Sequence, residues 1–187
     1  IAQPPLYKVA RGKSHTYLKD QRALEDYLID SGLEDTTLVT GAGEERGGKD
    51  LREIVKEARI VTNLIDQLHS RYNRGIVEQA AIMGLLDPDL LQTEERADAA
   101  AKALASRLDQ LAEETEGGWE GHIGSEGYVV RRQVRGVTEA HTLDRALISS
   151  LDARRINERR ESLSEVYAQP AKLKRKLDGV TYSTSCL

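Results

Sequence analysis

The chain has 187 residues, 39% hydrophobic and 31% charged, with one Cys and no Phe, which suits one sizeable core or two small ones and excludes a chain too polar to fold. Its longest apolar stretches, such as Ala80 to Met83, fall far short of the roughly 20 residues that cross a bilayer. The net charge of −4 hides an asymmetry: residues 1–20 carry four basic side chains against one acidic, residues 21–127 carry 11 against 23, and residues 128–176 carry 12 against six.

In chain order, Pro4 and Pro5 force an extended entry. Leu6 to Ala10 and His15 to Lys19 alternate apolar and polar residues about Arg11-Gly12-Lys13-Ser14, which predicts a β-hairpin. Asp20 is placed to cap a helix over Gln21 to Asp30, with Ala23, Leu24, Tyr27 and Leu28 on one face and Gly32 as its stop. Thr36 to Thr40 is a short strand, and Gly41 to Gly48 a loop. From Lys49 to about Tyr72, Leu51, Ile54, Val55, Ala58, Val61, Ile65 and Leu68 recur at three- and four-residue steps, the pattern of a long amphipathic helix. A second helix over Ile76 to Leu86 ends at Asp87-Pro88, and a third opens at Thr93 and runs to about Glu116. Gly117-Gly118 breaks it. Trp119 to Ile123, Gly127 to Arg135 and Val137 to Leu143 then predict an antiparallel meander. Asp144 caps a last helix, Arg145 to Tyr167, and the weakly patterned tail from Ala171 is expected to be partly mobile.

A search for catalytic chemistry returns little. His15, His69, His122 and His141 are scattered without metal-ligand spacing, and Cys186 alone completes no zinc site. Asp87/Asp89 and Glu94/Glu95 sit beside helix starts, where carboxylates meet the macrodipole favourably, so structural roles are expected of them. Gly47-Gly48-Lys49 hints at a phosphate loop, yet Asp50 stands where Ser or Thr is needed. A lone cysteine forms no internal disulfide, and Ile1 to Pro5 has neither the basic leader nor the apolar segment of a secretory signal; a cytoplasmic location is expected.

The basic residues form a more coherent group. Arg131, Arg132 and Arg135 fall on the central strand, Arg154, Arg155, Arg159 and Arg160 on the final helix, and Lys172, Lys174, Arg175 and Lys176 close the run. Phosphate neutralisation drives sequence-independent nucleic-acid affinity, so these are the candidate DNA-binding residues. Interspersed Glu158 and Glu161 offer the alternative of a solvated, ion-paired helix face, and the sequence leaves both open. Trp119 and most of the Tyr residues occupy apolar positions of an element, where core packing is expected ahead of base stacking.

Ile1-Ala2-Gln3-Pro4-Pro5-Leu6-Tyr7-Lys8-Val9, followed by Arg11-Gly12-Lys13 and Tyr17-Leu18-Lys19-Asp20, resembles the segment of type IIA topoisomerase B subunits that follows their acidic magnesium motif. Further on, Arg71-Tyr72, Trp119, Val134-Arg135-Gly136-Val137 and Leu147-Ile148-Ser149 follow an order similar to the insertion carried by DNA gyrase B subunits of many Gram-negative bacteria. The resemblance implies an α+β fold with an N-terminal hairpin remnant, a helical middle, and a small antiparallel sheet followed by a long C-terminal helix. It implies a connecting hairpin and helix over residues 1–35, the insertion over 36–167 and a tail over 168–187. The implied role is non-catalytic, supporting DNA supercoiling with double-stranded DNA, the gyrase A subunit and the remainder of the B subunit as partners. Magnesium and ATP belong to the parent subunit; this stretch is expected to hold no cofactor, metal or catalytic residue. A free-standing nucleic-acid-binding or regulatory protein is the alternative, and an independent hydrolase lacks a paired nucleophile and base.

Overall fold

The computed structural model describes residues 6–68, 71–113, 116–176 and 181–184. The extended entry at Pro4-Pro5, His69 and Cys186 lie outside the described residues.

The hairpin forms from strands β1 (Tyr7–Arg11) and β2 (Ser14–Leu18), paired from Tyr7 with Leu18 to Arg11 with Ser14. Gly12 turns it with φ +61. Asp20 caps helix α1 (Gln21–Leu33) by accepting from the Ala23 N–H. This helix passes through Gly32 instead of stopping there. None of its residues is buried, and Leu28 is 56% exposed. Leu33 at its end packs on the core, and ion pairs with the next helix hold the rest: Arg52 meets Asp30 at 2.9 Å, and Arg59 meets both Asp26 and Glu25.

Strand β3 (Thr36–Val39) is followed by a strand where the sequence suggests only loop. Thr40 N–H donates to the Glu44 carbonyl and Gly43 N–H to the Thr40 carbonyl, so β4 (Glu45–Gly47) folds back on β3. Gly48 begins helix α2 (Gly48–Asp66), which buries Leu51, Ala58, Val61 and Ile65 as the periodicity predicts. It ends before Tyr72: Asn73 caps a new helix through its side chain, and Arg74 reaches back to Asp66 at 2.7 Å across the turn.

Helix α3 (Arg74–Ile82) is the centre of the molecule. Seven consecutive residues, Ile76 to Ile82, are buried on every side, the mark of a helix enclosed by other elements. It stops at Gly84, not Asp87-Pro88. With Gly84 at φ +69, its N–H reaches the Ala81 carbonyl and the Leu85 N–H the Ala80 carbonyl, a Schellman ending that needs the left-handed conformation glycine adopts freely. A single 3-10 turn at Pro88–Leu91 leads to α4 (Glu94–Leu111), whose Ala97, Ala100, Ala101, Leu104 and Ala105 are buried. The chain then folds back as Asp109 accepts from the Gly118 and Trp119 N–H groups, ending the helix short of Glu116.

The meander is present: β5 (Glu120–Ile123), β6 (Gly127–Val134) and β7 (Val137–Asp144) form an antiparallel sheet in that order against α4. Gly121 lies so close to the Ala101 carbonyl that no Cβ fits between sheet and helix. The predicted long C-terminal helix is divided into α5 (Arg145–Ile148), α6 (Leu151–Asn157) and α7 (Arg160–Tyr167). Asp144 caps the first as expected; Ser150 then accepts from the Ala153 N–H and starts the second, the local bond for which serine prefers helix ends. The tail supplies two strands that the sequence pattern hides. β8 (Ala171–Arg175) pairs with β3, and β9 (Thr181–Thr184) pairs with β8, giving a second sheet in the order β4-β3-β8-β9. The α+β class holds throughout.

Candidate functional site

The candidate basic residues fall into three separate places. On the meander, Arg131 pairs with Glu120 at 3.0 Å, and Arg132 lies 4.6 Å over the Trp119 ring while bonding Glu139 at 2.7 Å and the Glu116 carbonyl. Glu139 in turn bonds His141 at 2.8 Å; His141 and then Arg132 hold its carboxyl below the usual carboxylate range. Arg135 stands exposed at the β6–β7 turn at φ +50, beside Gly136 at φ +81. Two successive positive φ values make this a type I′ turn, which needs a side chain in a disfavoured conformation and presents it at the tip.

Breaking the last helix disperses its arginines. Arg155 turns to Asp152 on its own helix at 3.4 Å, Arg160 to Asp87 at 2.9 Å, and Arg159 toward Glu57 of α2 at 3.1 Å, at an angle that makes an ion pair but no hydrogen bond. Arg154 is exposed. Arg160 thus ties the start of α7 to the turn that follows α3, while Arg159, which also donates to the Arg155 carbonyl at 2.7 Å, ties the α6–α7 junction to α2.

Strand alternation treats the third group differently. Ala171 is fully buried and Leu173 packs on the core, so Lys172 and Lys174 project from the opposite, open face of the second sheet. Lys174 is 3.9 Å from Glu45 on that face. Arg175 and Lys176 are exposed at the strand's end, where the Lys176 N–H donates to the Asp35 carbonyl.

The glycine-rich segment is divided between a strand and a helix. Gly47 closes β4 and Gly48 opens α2, and the cleft of about 480 Å³ beside them is lined by Asp30, Glu34 and Asp35 as well as Lys49, Arg52 and Lys176. The three carboxylates balance the three cations, so the cleft offers an anion no net positive charge. Among the described residues no cluster of three metal-ligating side chains occurs, and no helix is long and apolar enough to cross a membrane. The aromatics divide: Tyr128 and Tyr167 are buried and Trp119 packs on the core, whereas Tyr17 and Tyr182 are exposed.

The sequence reading misses the polar residues that organise the interior. Arg107 is 9% exposed; its guanidinium donates to Gln79 Oε1 at 3.0 Å, to the Tyr167 carbonyl at 2.6 Å and to the Ala168 carbonyl, gathering α3, α4 and the end of α7. Asp144, besides capping α5, accepts from Tyr72 Oη at 2.9 Å and pairs with Arg71 at 2.6 Å. Burial opposes its ionisation, but the Leu147 N–H, the Tyr72 hydroxyl and Arg71 outweigh it and its pKa is lowered. Glu and Gln at successive positions of an all-round buried helix, Glu78 and Gln79, are the one signal that a buried cation was needed.

The fold is an α+β body preceded by a hairpin and helix, with many of its charges engaged in ion pairs. The family described as DNA gyrase B subunit insert domain matches residues 38–177, and the family described as the GyrB hook matches residues 5–33. The chain is 42% identical over 176 residues to the DNA gyrase B subunit of Caulobacter vibrioides, covering 94% of this chain and 21% of that protein. Its identity to the same subunit of Rickettsia bellii is 33% over 175 residues, 92% of this chain and 21% of that one. Against Helicobacter pylori it is 40% over 73 residues, 39% and 9% respectively. The chain belongs to the DNA gyrase B family and comprises its hook and insert portions; it spans about a fifth of the length of the Caulobacter and Rickettsia relatives.

Proposed function

We propose that the chain is a non-catalytic accessory part of a gyrase B subunit, which supports supercoiling by steadying the neighbouring cleavage region, contacting the A subunit and adding weak, sequence-independent affinity for duplex DNA. Magnesium and ATP are assigned to the rest of the subunit, and the cytoplasm is the proposed compartment.

The observation that carries the DNA part of this reading is the open face of β8. Lys172 and Lys174 project side by side from it, and Arg175 and Lys176 follow at its end. Side chains two apart on a strand lie roughly 7 Å from each other, close to the spacing of successive phosphates along one strand. The cations of the meander and the last helices are held more closely, because Arg131, Arg132, Arg155, Arg159 and Arg160 each have a carboxylate within 3.4 Å, whereas Lys174 meets Glu45 only at 3.9 Å. Arg135 and Arg154 are secondary contacts.

The test is duplex binding by the intact B subunit, reconstituted with the A subunit, over a salt series. Lys172→Glu with Lys174→Glu is expected to weaken binding equally for unrelated sequences and to lower the salt slope by about one for each phosphate no longer neutralised. Unchanged affinity and slope in the double variant would remove DNA contact from the role and leave the steadying function alone.

A further inference from the structure

The geometry points to a docking groove between α2 and α7 that takes a partner protein's segment in which one apolar anchor is flanked by Lys or Arg. The groove encloses about 270 Å³. Ile54 and Ala58 of α2 and Leu163, Val166 and Tyr167 of α7 make its floor, which is more apolar than polar. Small-molecule sites run from roughly 300 to 1,000 Å³, so this hollow is of a size for a single buried side chain.

The rim defines the partner's charge. Asp50, Glu53 and Glu57 line one wall and Glu165 the other, against the single cation Arg46. Arg46 is already engaged, at 2.7 Å to Glu44 and 2.6 Å to Glu165. Glu57 receives Arg159 at 3.1 Å, and Lys56 reaches Glu53 only at 4.0 Å. Asp50 has no cation within ion-pairing distance among the described residues. An apolar floor ringed by excess carboxylate repels acidic chains and leaves a purely apolar occupant unpaired at its edge. A buried apolar anchor with basic flanks satisfies both parts, the pattern in which a central desolvated pocket carries affinity and rim charges set orientation and on-rate. The groove is lined by α2, α7 and Arg46 of β4, whose strand neighbour Glu45 turns to Lys174 on the opposite face of that sheet, so this contact is additional to the proposed DNA contact.

The experiment uses the intact B subunit and a synthetic peptide with a benzophenone-bearing phenylalanine at its centre and two Lys or Arg on either side. Saturable binding is expected, with photo-cross-links mapping to residues 54–58 and 162–167. Glu53→Lys and Asp50→Asn, both exposed changes that leave the floor intact, are expected to weaken binding about tenfold together, and circular dichroism should show the fold unchanged. A Glu-flanked peptide and one with a central Ser should each fail to saturate. Equal binding by the Glu-flanked peptide, cross-links elsewhere, or affinity indifferent to Glu53→Lys would overturn the assignment. Self-association of the subunit that Glu53→Lys abolishes would overturn it in favour of a second copy as the occupant.

Discussion

Replacing Arg107 by Met should cost this chain a large share of its stability. Methionine keeps most of the length and the apolar stem, so the loss isolates the guanidinium, which sits in a residue only 9% exposed and donates to Gln79 Oε1, Tyr167 O and Ala168 O. The two carbonyls belong to the C-terminal end of α7, where helices leave acceptors unpaired and carry partial negative charge. Leaving a buried acceptor unsatisfied costs about 1–3 kcal/mol, and breaking a buried charged network about 3–5 kcal/mol in total. With a urea slope of roughly 2 kcal/mol/M, the midpoint should fall by about 1.5–2.5 M, a third or more of the stability of a typical domain. Hydrogen exchange should show α7 and β8 opening first, since Tyr167, Ala168 and Ala171 lie on the segment the guanidinium holds. Arg107→Lys should recover only part of the loss, because an ammonium cannot match the planar fork. A midpoint shift under about 0.5 M for Arg107→Met, with exchange at α7 unchanged, would refute the argument that this side chain ties the three helices together.

Tyr128→Phe should be neutral or raise stability by about 1 kcal/mol in the same denaturation assay, because the Tyr128 hydroxyl is buried without a partner among the described residues and burial pushes its pKa up to about 12; destabilisation beyond about 1 kcal/mol would show that the hydroxyl is bonded. Gly121→Ala should destabilise by about 3 kcal/mol or more, since its Cβ would press on the Ala101 backbone and stand 2.9 Å from Lys102 N, and neither is the end of a flexible side chain; a loss under about 1 kcal/mol would mean that α4 can slide. Glu139 and Asp144 both have folded pKa values below their ordinary ones, so their contribution is complete above the ordinary carboxylate range and drains away as the pH falls through and beneath it; Glu139→Gln should flatten the acid limb of a thermal-melting profile, and an unaltered limb would deny the coupling to His141 and Arg132. Arg59→Glu should quicken amide exchange across α1 about tenfold while leaving α3 unaffected, because α1 buries no residue and leans on that arginine; equal protection in both proteins would contradict the ionic attachment.

Periodicity was informative wherever an element buries one face. The α2 residues Leu51, Ala58, Val61 and Ile65, the α4 alanines and the β5–β7 meander all follow patterns visible in the sequence, and Asp20 and Asp144 cap as their positions suggest. Local bonds that compete with periodicity were not legible. Gly84 ends α3 although the apolar run continues through Leu85 and Leu86, and Ser150 restarts a helix inside a sequence that reads as continuous. β4 and β8 escaped for another reason: three- and five-residue strands rich in charge look like surface loop until the strand they pair with is known, here β3 for both, adjacent to β4 and remote from β8. The candidate cations were legible as residues but not as a surface. Sequence spacing put Arg155, Arg159 and Arg160 together; Arg159 does reach the Arg155 carbonyl, whereas Asp87, remote in sequence, engages Arg160.

Excision of the insert from the full subunit tests the accessory role most directly. The pairing of β8 with β3 sets the ends of the cut: removing residues 36–176 takes the second sheet's inner strands away together, whereas stopping at Arg160 would leave β8 without its partner. The excised and intact B subunits are each reconstituted with the A subunit, and supercoiling, duplex affinity and ATP hydrolysis without DNA are compared. Unchanged ATP hydrolysis is expected, with duplex affinity reduced about tenfold or more as a few contacts of about 1 kcal/mol each disappear, and supercoiling weakened in step. Supercoiling and duplex affinity equal to those of the intact enzyme would contradict it.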